Sequence, residues 1–143
     1  MRGKAVIFVA IAMVALFAGA CTSAGGSPKH ATIEVGYDEL AGTKNVSKEI
    51  TLARDTELIV KLAANPSTGF SWTQAVIAPP SVLAPADSKY MAPEGSAVGA
   101  AGIQVWTFIA LEKGTTTVKM DYGRPWEGGE KAEWTFQLTV TVR

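Results

Sequence analysis

Little in this 143-residue sequence could do covalent chemistry: it has one cysteine, Cys21, and one histidine, His30. A hydroxyl or thiol nucleophile needs a neighbouring base, so no Ser/His/Asp or Cys/His constellation can be assembled. Metal ligation fails for the same want of His and Cys. No cofactor is expected, and a lone cysteine excludes an intramolecular disulfide. What remains is recognition chemistry. It is concentrated in three short stretches: Asn65-Pro66-Ser67-Thr68-Gly69-Phe70, Gly99-Ala100-Ala101-Gly102, and Arg124-Pro125-Trp126 inside a segment bounded by Gly123 and Gly128-Gly129.

Each stretch has a physical reason to present a surface. Asn-Pro starts a turn, Ser67 and Thr68 can bond their own backbone, and Gly69 can take the positive φ that closes the loop. Gly99 to Gly102 is small enough to let another chain approach the backbone. Arg and Trp are the residues most enriched where binding energy concentrates, and Pro125 stiffens the backbone between them. Each stretch alone also has a plainer reading. The first can be an ordinary connection and the second an internal linker, while Trp126 can pack back on a sheet with Arg124 paired to Glu127.

The elements that must hold these loops are strands. Thr32 to Tyr37, Ser47 to Leu52, Glu57 to Ala63 and Phe70 to Val76 alternate apolar with polar residues or are rich in β-branched ones. Ile103 to Leu111 and Thr115 to Tyr122 follow, and Trp134 to Val142 alternates most cleanly. Pro79, Pro80, Pro85 and Pro93 make Ala78 to Ala101 the least regular part, with a short strand expected around Ser88 to Met91. No convincing 3.6-residue repeat is present. About seven short strands in a domain of this size predict an all-β, immunoglobulin-like antiparallel β-sandwich, with an up-and-down barrel as the alternative. Trp72, Trp106 and Trp134 fall on strand patterns and are expected in the core. Trp126 is expected to stand exposed in its loop.

Ahead of the domain, Arg2 and Lys4 precede an uncharged apolar run from Ala5 to Ala18. This is the layout of a secretory signal peptide over residues 1 to 20. Ala18-Gly19-Ala20-Cys21 resembles a bacterial lipobox, which implies acylation of Cys21; a cleaved soluble protein and an uncleaved anchor are the other readings. Residues 21 to 30 then read as a lipidated tether, with His30 as a solvated side chain at its end, and residues 31 to 143 as the domain. Removing residues 1 to 20 leaves 11 cationic against 13 anionic side chains, a net charge near −2. Without a basic patch, nucleic acid is not an expected partner. The expected placement is the bacterial cell envelope, exported and lipid-anchored, or else secreted, as a monomer.

The three stretches, in this order on a β pattern, resemble the chagasin-like inhibitors of papain-family cysteine proteases. That family carries an Asn-Pro-Thr-Thr-Gly-Tyr/Phe loop, a Gly-x-Gly-Gly loop and an Arg-Pro-Trp/Phe loop at one end of an immunoglobulin-type sandwich. Here the resemblance covers roughly Thr32 to Val142. It implies that Asn65 to Phe70 lies over the catalytic Cys and His of a papain-like protease. Gly99 to Gly102 would lie along the unprimed side and Trp126 against an aromatic surface on the primed side. Inhibition would be reversible and steric. The sequence departs from the pattern twice. Ser67 replaces Thr and keeps the hydroxyl; Ala101 replaces Gly, where a Cβ could block a positive φ or a close approach. A β-sandwich adhesion or envelope-binding module using the same tips is the alternative class.

Overall fold

Alternation decides which side of each strand is dry, and in the computed structural model the strands close over one core. The structure describes residues 29–95 and 99–143; the signal peptide, Cys21 and most of the tether lie outside the described residues. In order the elements are β1 (His30–Val35), α1 (Tyr37–Thr43), β2 (Asn45–Leu52), β3 (Glu57–Ala64), β4 (Ser71–Trp72) and β5 (Val76–Ala78). β6 (Leu83–Met91), β7 (Gly102–Ala110), β8 (Gly114–Gly123) and β9 (Trp134–Val142) complete the chain. One sheet has the order β1-β3-β7-β6; the other runs β2-β9-β8-β4, with β5 also pairing β8. The inward residues Leu58, Val60, Leu62, Phe108, Val118, Phe136, Leu138 and Val140 are fully buried between the sheets.

The sandwich is all-β as expected, but its sheets are mixed rather than antiparallel. β1 pairs β3 in parallel and β2 pairs β9 in parallel; the remaining ladders are antiparallel. The cause is the path of the chain. β1 leads into α1, which crosses to the other sheet, so β3 returns beside β1 in the same direction. Among the described residues there are nine strands, because two stretches depart from the expected pattern. Phe70 to Val76 divides into β4 and β5, both on β8. The Pro-rich region holds a nine-residue strand, β6, whose register shifts between Pro85 and Asp87. Proline is tolerated there because β6 is an edge strand with a bulge.

Two boundaries also move. Tyr37, expected to end the first strand, begins α1, where Leu40 is buried in the core and Asp38 and Glu39 occupy the first turn. Acidic residues there complement the helix N-terminus. His30, assigned to the tether, is the first residue of β1; its Nδ1 is 3.6 Å from a Glu57 carboxylate oxygen. The topology gathers the β3–β4, β6–β7 and β8–β9 connections at one end, together with α1.

Candidate functional site

The first loop is fixed by its own side chains. Pro66–Thr68 forms one turn of 3-10 helix, closed by Gly69 at φ +81°. Asn65 organises it: Ser67 Oγ donates to Asn65 Oδ1 at 2.5 Å, and Thr68 Oγ1 donates to the Asn65 carbonyl at 2.6 Å. The hydroxyl that Ser67 shares with threonine is therefore in use. Below the loop, the Asn65 backbone N–H donates to the Tyr122 hydroxyl at 2.8 Å. Burial pushes the Tyr122 phenol pKa up, against the pull of that backbone hydrogen bond.

Tyr122 belongs to an aromatic column that supports the loop from inside the sandwich. Its ring stacks on Phe70 at 5.5 Å on one side and on Trp134 at 4.6 Å on the other. Tyr37 meets Trp134 edge-on at 5.3 Å, and Trp72 meets Trp106 edge-on at 6.2 Å. Trp106 and Trp134 are buried and Trp72 is half-buried, donating through Nε1 to the Ala63 carbonyl at 3.0 Å. Trp106 and Trp134 thus occupy the core positions expected of them, whereas Trp72, also expected in the core, packs against it and stays half-buried because β4 is a short edge strand. Trp126 is 51% exposed.

The three loops touch one another. Asn65 Nδ2 donates to the Gly99 carbonyl at 2.8 Å, joining the first loop to the second. Arg124 donates through Nη2 and Nε to the Thr68 carbonyl at 3.3 and 3.4 Å, joining the third to the first. Its guanidinium lies 4.4 Å above the Phe70 ring, a cation–π contact worth about 0.5–1 kcal/mol at an accessible site. The carboxylate beside Arg124 is that of Glu130, at 3.7 Å, rather than Glu127. The indole of Trp126 rests on Gly69, where a Cβ would overlap it. Gly69 is therefore required twice, for its positive φ and for the room it leaves.

Ala101 does not take a positive φ, so the backbone objection to alanine in the second loop does not arise; Gly99, at φ +83°, makes that turn. Pro66, Ser67, Thr68, Pro125 and Trp126 are exposed, while Asn65, Gly69, Phe70, Ala100, Ala101 and Arg124 are half-buried and hold the surface in shape. Gly102 is buried as the first residue of β7. Two supporting residues went unread in the sequence. Tyr122 was visible as the last inward residue of the Thr116, Val118, Met120 series. Lys131 was not marked by any pattern: its Nζ donates to the carbonyls of Arg124 and Trp126, at 2.5 and 2.8 Å, and ties down the third loop.

Such an end offers pre-formed backbone, an indole, a guanidinium and small residues. By fold this is an immunoglobulin-like β-sandwich with three loops bonded to one another at one end. The family model described as "Chagasin family peptidase inhibitor I42" matches residues 51–140. The chain belongs to that family, whose members are inhibitors of peptidases and not enzymes. It is 26% identical to Amoebiasin-2 of Entamoeba histolytica over 114 residues, covering 80% of this chain and 79% of that protein. It is 29% identical to chagasin of Trypanosoma cruzi over 82 residues, 55% of this chain and 74% of that one. The crystal structure of a cysteine protease inhibitor from Entamoeba histolytica shares the fold with a TM-score of 0.65 and 24% identity, covering 82% of this chain and all of that one. The solution structure of amebosin does so with a TM-score of 0.54 and 23% identity, covering 79% of this chain and 99% of that one.

Proposed function

We propose that this protein inhibits papain-like cysteine proteases reversibly, by seating its three-loop end in the protease cleft and excluding substrate. The observation that carries this is the bonding between loops: Asn65 to Gly99, Arg124 to Thr68, and Trp126 on Gly69 make three separate connections one surface. A pre-formed surface loses little conformational freedom on binding, which favours affinity without a covalent bond. Asn65 to Phe70 lies centrally over the protease's catalytic Cys and His, flanked by Gly99 to Gly102 and by Arg124 to Trp126. That a similar fold belongs to a cysteine protease inhibitor of Entamoeba histolytica supports the choice of protease class. Titration of papain and a cathepsin-type enzyme with the purified protein is expected to give complete inhibition that dilution reverses, with a serine protease unaffected. Absence of inhibition at micromolar concentration removes this reading and leaves a binding or adhesion module of the same fold.

We also propose export to a bacterial cell envelope with Cys21 acylated as the mature N-terminus. The basic start, the short apolar run and the small residues before the single cysteine support this reading. Mass spectrometry of the native N-terminus is expected to find a lipidated residue 21. A free Cys21 thiol, or another terminus, rules it out.

A further inference from the structure

Among the described residues six large apolar side chains are exposed, and four of them, Tyr37, Tyr90, Met91 and Trp126, lie at the loop end. Trp126 belongs to the third loop. Tyr90 and Met91 end β6, the edge strand that leads into the second loop, and neighbouring residues of a strand face opposite ways. Tyr90 lies against Gly102, where a Cβ would overlap its ring, so the small residue ending the second loop makes room for the phenol. Met91 pairs with Ile103, which pairs with Ala63. Its side chain therefore stands beside half-buried Ile103 just below the second loop, while Ala63 beyond is buried with the core. Met91 is 49% exposed.

We infer that Tyr90 and Met91 form a fourth contact of the inhibitory end, an apolar shoulder that meets the rim of the same protease's cleft and sets which papain-like enzymes are held tightly. This rests on the inhibitor reading above. Two observations commit the shoulder to that partner. The surface is continuous with the second loop through Gly102. The three motifs also supply only thirteen residues, whereas a stable interface takes about 20–30 on each side, so flanking surface must take part. The side-chain types suit a selectivity contact. Methionine adapts to differently shaped apolar walls, and tyrosine brings large contact area at low entropic cost.

The test uses the full chain with Met91→Asp, Met91→Lys and Met91→Leu, and with Val76→Asp as a control. Val76 is 62% exposed on β5, opposite Lys119 and away from the loops. Both charged variants at Met91 are expected to raise the inhibition constant at least about tenfold against papain, a cathepsin-type enzyme, or both, the size of a significant interface residue. Because the two charges are opposite, a shared loss reports the apolar contact rather than one repulsion. Met91→Leu and Val76→Asp are expected to stay within about twofold of the parent, with all melting curves coincident. If both charged variants inhibit both enzymes like the parent, the shoulder is wrong and the three-loop reading stands. If the parent inhibits neither enzyme, the three-loop reading falls and the shoulder with it.

Discussion

Trp126→Ala is expected to weaken protease inhibition by about 2 kcal/mol or more, the size of an interface hot spot, or about 30-fold in the inhibition constant. The melting temperature is expected to stay within a few degrees of the parent. Half of the residue's surface is exposed, and the indole is supported by Gly69, by Gly129 beside its Nε1 and, more distantly, by Arg124 at 5.8 Å. Removing it therefore opens no hole in the core, and Lys131 still holds the loop through the Arg124 carbonyl. What disappears is the largest exposed apolar surface of the third loop. Paired melts and inhibition constants check this. A variant that binds as tightly as the parent, or that unfolds, removes the role given to the third loop.

Trp134→Ala is expected to do the reverse. Trp134 is 7% exposed, stacks on Tyr122 and is met edge-on by Tyr37. Truncating a buried aromatic to alanine costs about 3 to 5 kcal/mol through lost transfer energy and the cavity left behind. In a domain of this size that lowers the melting temperature by roughly 10 °C or more. Well below the melt, the folded variant keeps Asn65 on the Tyr122 hydroxyl and is expected to inhibit far better than Trp126→Ala. Equal loss of inhibition in the two variants at such a temperature would mean that the aromatic column, rather than the exposed indole, carries the binding.

The sequence by itself determined the local features. Asn65, Pro66 and Gly69 define a loop whose shape depends on neighbours three or four residues away, so its turn chemistry is written in order along the chain. Trp134, Phe136, Leu138, Val140 and Val142 alternate with polar residues, so the burial of β9 follows from a period of two. The same reasoning separated the strand tryptophans from Trp126. Tertiary structure alone decided what depends on partners far away. A strand presents the same alternation to a parallel and to an antiparallel neighbour, so β1 beside β3 and β2 beside β9 could not be read from residue type. Tyr37 continues an alternating pattern, yet α1 forms there because the chain must cross between sheets and Leu40 is buried in the core when it does. Pro85 argued against a strand until an edge position and a bulge removed the need for its missing N–H. At the loop end, Glu127 was the nearer acid in sequence, but the hairpin brings Glu130 beside Arg124 and packing lays the guanidinium on Phe70. The joining of the loops through Asn65, Arg124 and Gly69 is a matter of packing geometry, because its partners stand 34 or more residues apart and meet only once both sheets are in place.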